Sequence, residues 1–288
     1  MRHLVVDRKE AELSVKRTGI VVDGQHIPFR LVDMVVLAAE TKTTSKALLA
    51  IAKERIPVLM MSKNGGDFCM TMPLEAKNGE LKMRQYASIA NNRLGYAKYF
   101  LEEKIKTHVA HLGAYGVALS SHEWLQKGQK TASLSELLGV EGSFSRLYFN
   151  HFFSLLPKTL HKGKRSKRPP QDPVNAILSY LYTWLYHLVT ARLYFYGFDA
   201  ALSYLHEPFR SHYGLSSDIL EVFRADANRL TMEWFQEGRL DAKDFTRKNG
   251  VWLRYESRKA LWPAIKTFSA ELTPRIDDEI ALLRSAIT

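Results

Sequence analysis

Short apolar runs broken by turn residues fill the first quarter of the chain, and long runs with helical spacing fill the rest. Leu4–Val6, Glu12–Val15, Gly19–Val22 and His26–Phe29 are brief β-prone stretches, and Asp23-Gly24 is a hairpin signal between the last two. Asp33–Ala39 and Ile56–Ser62 are apolar almost throughout, as strands covered on both faces are. Between them Thr43–Arg55 opens on a capping residue and continues at helical period. Asn64–Gly66 then turns the chain into Asp67–Pro73. From about Asn78 the texture changes. Helical spacing covers Leu81–Leu112, Ser133–Leu138, Phe144–Leu156, Asp172–Tyr196, Ser217–Phe235 and Pro263–Ser285. The pattern predicts an α+β chain. A small β-sandwich-like domain with one helix spans residues 1–78, and a larger all-α domain spans residues 79–288.

One helical run raises a membrane question. Val174–Ala191 carries no formal charge at neutral pH. It falls short of the ~20 apolar residues that a membrane crossing needs. It also places Asn175, Ser179, Thr183 and His187 four apart, a polar stripe down one side. A buried helix facing a polar cavity accounts for that stripe, as does a hydrogen-bonding seam between helices.

Composition narrows the function classes. The chain has 288 residues and a single cysteine, Cys69, which excludes a disulfide framework and a multi-cysteine zinc site. That fits a reducing, cytoplasmic setting. The opening MRHLVVDRKE reaches charge too soon for a signal peptide. The net charge of +11 and pI near 9.6 point to an anionic partner, nucleic acid first. The densest basic segment is Pro157–Pro170, with Lys164, Arg165, Lys167 and Arg168 at its centre and no acidic residue. Its glycine and prolines make it a loop, either a solvated linker or a contact to phosphate.

Candidate chemistry begins at Asp218 and Glu221, three apart and so on one helix face. An Asp at the N-cap with Glu three residues on has the form of a capping box, worth about 0.5–2 kcal/mol and no catalysis. The same pair can supply two metal ligands. Glu141 lies before an aromatic-rich helical run, where a carboxylate also answers the helix dipole. His206 follows Leu205 on an apolar run, and His212 lies six further on. Each signal alone has an ordinary structural reading.

In order, they match a family. The chain runs Glu141-Gly142 before a helix, Asp172-Pro173-x-Asn175 opening a long apolar helix, Leu205-His206, Asp218-x-x-Glu221 leading into Phe223-Arg224, then RKNGVWLRYESRKALW. This order resembles the CRISPR-associated integrase of the "Cas one" family, the catalytic subunit of spacer acquisition, over nearly the full chain. The resemblance implies a DNA endonuclease and integrase that inserts short DNA fragments into a CRISPR array by 3′-hydroxyl attack on a phosphodiester. It implies Mg²⁺ or Mn²⁺ held by Glu141, His206 and Asp218, with Glu221 as a further catalytic acid. The Leu-His order favours His206 over His212. Asn175 falls behind the ligands, and Arg224 follows the acids. Arg224, Arg254, Arg258 and Lys259 join the basic loop as DNA contacts. The implied partners are double-stranded and branched DNA, a second copy docked through the β domain, and a small ferredoxin-like CRISPR-associated protein completing a heterohexamer. No protein nucleophile is needed, so Tyr180, Tyr182 and Tyr186 belong to packing or base stacking. Two alternatives stand beside this reading: the integrase of a mobile element, and a non-catalytic DNA-binding scaffold.

Overall fold

The computed structural model describes residues 3–61, 68–71, 78–207 and 212–287. The expected turn at Asn64–Gly66 lies outside these residues.

The N-terminal part contains β1 (His3–Val6), β2 (Ala11–Lys16), β3 (Gly19–Val22), β4 (Gln25–Pro28), β5 (Met34–Leu37), β6 (Thr41–Lys42), α1 (Ser45–Lys53), β7 (Val58–Met61) and β8 (Phe68–Thr71). Two four-stranded sheets form, ordered β1-β5-β7-β8 and β4-β3-β2-β6. The first is mixed: β5 pairs parallel with β1 and β7, and β8 closes it antiparallel. In the turn between β3 and β4, Asp23 and Gly24 both have positive φ, 50° and 84°. That matches a tight hairpin whose twist follows the strands. Thr44 caps α1 by accepting from the amide of Ala47 at 3.2 Å.

All of β5 is buried, and its period of two explains why. Val35 and Leu37 face the second sheet and α1, in a core with Leu13, Ile20, Ala47, Ile51 and Val58. Met34 and Val36 face the other way, with Leu59 and Met61, into the helical core. The first sheet is thus a middle layer, and apolar packing is continuous across residue 78.

The rest is helical: α2 (Gly79–Gly113), α3 (Ser121–Gln129), α4 (Leu134–Ser154), α5 (Pro173–Tyr196), α6 (Gly214–Gln236), then the strands β9 (Phe245–Arg247) and β10 (Val251–Leu253), α7 (Tyr255–Ala260) and α8 (Trp262–Ile287). Asn78 caps α2, Ser133 caps α4 and Asp172 caps α5, each accepting an amide from the first turn. Helix α5 runs through the centre, packed on α6 and α8. Trp184 donates to Ser269 Oγ at 2.8 Å, and Arg192 holds Asp277 with two bonds of 2.6 and 2.8 Å. Among the described residues no helix is long and apolar enough to cross a membrane.

Three expectations change. The two runs Ser133–Leu138 and Phe144–Leu156 are one helix, α4. Gly139 and Gly142 cost helix propensity of about 1 kcal/mol each. Burial of Leu137, Phe144, Tyr148 and Phe152 along one face outweighs it. Glu141 is therefore mid-helix and does not answer the N-terminal dipole. Helix α6 begins at Gly214, four residues before Asp218, and no side chain caps it. The capping-box reading of Asp218 and Glu221 is thereby overturned. A Cβ at Gly214 would meet Ser203 Oγ at 2.5 Å, so a close crossing of the preceding loop fixes this start. The C-terminal part also holds the small β9–β10 hairpin, turned through Asn249 and Gly250 at positive φ.

Candidate active site

Helices α2, α4 and α6 and the loop after α5 each send one or more polar side chains to a common point. Along α2 the buried stripe runs Ala97, Phe100, Leu101, Lys104, Ile105, His108 and Leu112. Lys104 is the charged member of that stripe. Its Nζ lies 2.8 Å from Glu221 Oε2 of α6 and in closer contact with Glu141 Oε1 of α4. Ser145, one turn along from Glu141, donates to the same Glu141 oxygen at 2.8 Å. Arg224 Nε stands 2.9 Å from Glu221 Oε1, and His206 Nε2 stands 3.5 Å from that oxygen.

Asp218 plays a different part. It is fully buried. Its Oδ2 accepts the amides of Tyr204 and Leu205 at 2.6 and 3.1 Å. Its Oδ1 takes the amide of His206 at 3.0 Å and meets His206 Nδ1 at 2.7 Å. The other side of the same loop is also held. Arg93 of α2 donates to the carbonyls of Tyr204 and His206 at 3.0 and 2.9 Å, and Ser203 Oγ donates to the His206 carbonyl at 2.6 Å. His206 is thus fixed through its backbone, and its ring is oriented with Nε2 toward Glu221. His212 sits elsewhere, stacked on Tyr186 and 2.9 Å from Ser217 Oγ.

The electrostatics follow from burial and pairing. Burial alone would raise the Glu221 carboxyl, but Arg224, Lys104 and His206 hold it well below the usual carboxylate range. Glu141 is likewise lowered, by Lys104 against its own burial. Burial would depress the Lys104 ammonium, and Glu221 and Glu141 overcome that and raise it. The His206 imidazole is also raised, since its bond to Asp218 and the nearby Glu221 outweigh desolvation.

The basic loop closes one side. Asn175 is fully buried at the start of α5 and acts as its anchor. Its Oδ1 accepts from Arg165 Nη1 at 2.9 Å and from the Ser166 amide at 3.0 Å, while its Nδ2 donates to the Lys164 carbonyl at 2.9 Å. Arg165 also donates to Ser179 Oγ at 3.0 Å, so two members of the polar stripe hold the loop. The guanidinium groups of Arg224 and Arg165 lie over the Tyr182 ring, 4.5 and 5.4 Å from its centroid. The result is a cavity of about 480 Å³ whose lining includes Glu141, His206, Glu221, Arg224, Lys164 and Lys167.

Other predicted contacts lie outside that lining. Arg168, Arg254 and Lys259 are exposed on the surface. Arg258 is 1% exposed, with its guanidinium over the Tyr255 ring. Buried in this way, Arg258 is set apart from the exposed basic residues.

Residues 4–267 match the family model described as CRISPR associated protein Cas1. The chain belongs to the Cas1 family. A curated relative, the CRISPR-associated endonuclease Cas1 1 of Thermodesulfovibrio yellowstonii, is 28% identical over 289 residues, covering 91% of this chain and 90% of its own. A solved Cas1 protein from Thermotoga maritima superposes with a TM-score of 0.89 at 22% identity, covering 100% of this chain and 97% of its own. A casposase bound to integration product gives 0.85 at 22% identity, covering 100% and 90%. A chain of a Cas6-RT-Cas1–Cas2 complex gives 0.79 at 21% identity, covering 99% of this chain and 34% of its own. These likenesses agree with the fold, a strand-rich N-terminal part followed by a helical one.

A divalent ion placed at this point would need hard ligands that face the cavity. Glu141, Glu221 and His206 Nε2 are such a set, two carboxylates and one imidazole, suited to Mg²⁺ or Mn²⁺. Asp218 is not aimed there: its oxygens are taken by three amides and His206 Nδ1. It holds the imidazole as a carboxylate behind a metal-binding histidine does. The ligand place that the motif order had given to Asp218 would then fall to Glu221. As the side chains stand, no three His, Cys, Asp or Glu among the described residues form a ready ligand group, and the Lys104 ammonium lies between the two glutamates. Lys104 and Arg93 were not among the candidates read from sequence. A lysine inside the apolar stripe of α2 was the available signal for the first.

Proposed function

We propose that this Cas1-family chain is a metal-dependent DNA endonuclease and integrase that joins a short DNA fragment to a CRISPR repeat. One observation carries the reading. Glu141, Glu221 and His206 Nε2, from separate elements, converge on a cavity whose other wall is cationic. The family match and the relatives named endonuclease support the enzyme class.

The chain's own residues then have assignable roles. Glu141, Glu221 and His206 Nε2 would hold Mg²⁺ or Mn²⁺. When bound, the ion would polarise a phosphoryl oxygen and stabilise the attacking and leaving 3′ oxygens. Asp218 keeps the Nδ1 of His206 occupied and leaves Nε2 facing Glu221 and the cavity. Lys164, Lys167 and Arg224 place positive charge where the phosphodiester would lie. In strand transfer the fragment's 3′ oxygen bonds to phosphorus and loses its proton. The bond from phosphorus to the target's 3′ oxygen breaks, and that oxygen takes up a proton. With water as attacker the same exchange is hydrolysis. No side chain becomes covalently bound.

A homodimer docked through the N-terminal sheets, with a small ferredoxin-like partner, is the assembly that the family resemblance favours. The similarity to a chain of a Cas1–Cas2 complex supports a partner of that kind. The similarity to a casposase supports a second reading, integration of a mobile element. Assaying a repeat substrate against a transposon-end substrate separates the two.

The test replaces Glu141, His206 and Glu221 by Ala, one at a time, and measures strand transfer with Mn²⁺. Each variant is expected to lose at least about 100-fold in rate, the scale of a lost transition-state contact. A fully active variant removes its residue from the site.

A further inference from the structure

We propose that Lys104 is an internal stand-in for the divalent cation: its ammonium holds Glu141 and Glu221 together when no ion is bound and gives way when one binds. This rests on the metal reading above and adds a residue that sets the affinity for the ion.

Three observations carry it. First, the position is shared. Lys104 Nζ contacts one oxygen from each of the two glutamates that would ligate the ion, so ammonium and ion compete for the same charges. Second, the lysine is costly where it stands. It is 4% exposed, on the apolar face of α2 beside Phe100, Leu101 and Ile105. A packing role there is filled better by leucine or methionine, so the charge is what the position uses. Third, the exchange leaves the carboxylates in place. Glu221 keeps Arg224 at 2.9 Å, and Glu141 keeps the Ser145 hydroxyl at 2.8 Å. The flexible four-carbon stem of a lysine lets its head withdraw toward the cavity it lines. Two like charges held this close repel, one of them buried and the other half-buried, so the metal-free site needs some cation. Lys104 supplies one that does not dissociate.

Lys104 is therefore a positioning residue, and its test reads metal affinity rather than turnover. The unaltered 288-residue chain and its Lys104→Met variant are titrated with Mn²⁺ by calorimetry, and both are melted in EDTA and in Mn²⁺. The variant is expected to melt lower than wild type in EDTA and to recover most of the difference in Mn²⁺. It should bind Mn²⁺ at least about tenfold more tightly, because no resident charge has to be displaced. A variant that folds only with Mn²⁺ gives the same support. Equal or weaker binding by the variant overturns the stand-in role alone. Absence of Mn²⁺ binding in both proteins overturns the metal reading itself. Should Lys104→Met not fold under either condition, the unaltered chain answers by NMR of its lysine ammonium groups. A buried, slowly exchanging signal is expected without metal and should move on adding diamagnetic Mg²⁺. A signal unmoved at saturation overturns the proposal.

Discussion

Asp218 Oδ1 and His206 Nδ1 stand 2.7 Å apart, inside a loop whose amides the same carboxylate binds from Tyr204 through His206. One side chain thereby fixes the backbone that carries the imidazole, its ring orientation and its tautomer. Asp218→Asn keeps the shape but turns an NH₂ group toward amide donors. At least one buried amide loses its acceptor, at about 1–3 kcal/mol. Strand transfer should fall by about 10–100-fold, as for the partner of a metal-binding histidine. The melting temperature should fall with it. Full strand-transfer activity in a stably folded Asp218→Asn protein would mean His206 needs no such partner.

Asn175 is the corresponding device for the basic loop. It binds the loop at Lys164, Arg165 and Ser166. Asn175→Ala removes all three bonds while leaving every positive charge in the chain. Trypsin should then cut after Lys164 or Arg165 several-fold faster, and by more than the accompanying loss of global stability, measured by urea unfolding, accounts for. A cleavage rate equal to wild type would show that Ser179 and the Tyr182 ring hold the loop alone.

Exposure divides the basic residues into two classes with opposite outcomes. Lys164, Lys167 and Arg168 are exposed, whereas Arg258 is buried. Replacing the first three by Ala should reduce the slope of log affinity for DNA against log salt by roughly 2–3, since each phosphate contact contributes about 0.9. Arg258→Ala should leave that slope unchanged and lower the melting temperature. Fluorescence anisotropy at several salt concentrations measures the slopes. An Arg258→Ala slope that drops by a full contact would place this guanidinium on DNA after all.

Much of this was legible in the chain, for reasons tied to particular residues. The turn at Asp23-Gly24 and the cap at the start of Thr43–Arg55, which is Thr44, act within a few residues, so local sequence exposes them. Glu141, His206, Asp218 and Glu221 were named through the order of motifs, with Asp218 and not Glu221 as the third ligand; no local property distinguishes Glu141 from any helical glutamate. What stayed hidden is non-local. The start of α6 depends on Gly214 lying against Ser203, which made Asp218 resemble a cap. The continuity of α4 depends on its buried face overriding two glycines. The sharing of roles between Asp218 and Glu221 is decided by which of them meets the amides of residues 204–206. Lys104 acquires meaning only when α4 and α6 bring their acids to α2.

The seam between α2 and α4 adds a pH dependence. Asn228 Nδ2 lies 2.8 Å from the Tyr148 hydroxyl, and that hydroxyl lies 2.8 Å from His111 Nδ1. With Asn228 donating to Tyr148, the Tyr148 proton goes to His111, which requires a neutral imidazole. Burial, with Arg229 nearby, pushes His111 down from the usual 6.5 to about 4. The unfolded chain therefore takes up a proton near pH 6.5 that the folded chain refuses until about pH 4. Stability is lost as pH falls through this window, by about 1.4 kcal/mol per pH unit for each such histidine, and the loss ends below the folded value. His206 acts oppositely, since its imidazole is raised, so single variants must be compared with wild type. Between pH 6.5 and 5 the carboxylates of the unfolded chain remain largely ionised, which isolates the histidines. Urea unfolding across that range should give a curve for His111→Gln that is flatter than wild type by up to about 1 kcal/mol per pH unit. Parallel curves would mean that His111 is protonated as readily in the folded protein as in the unfolded one.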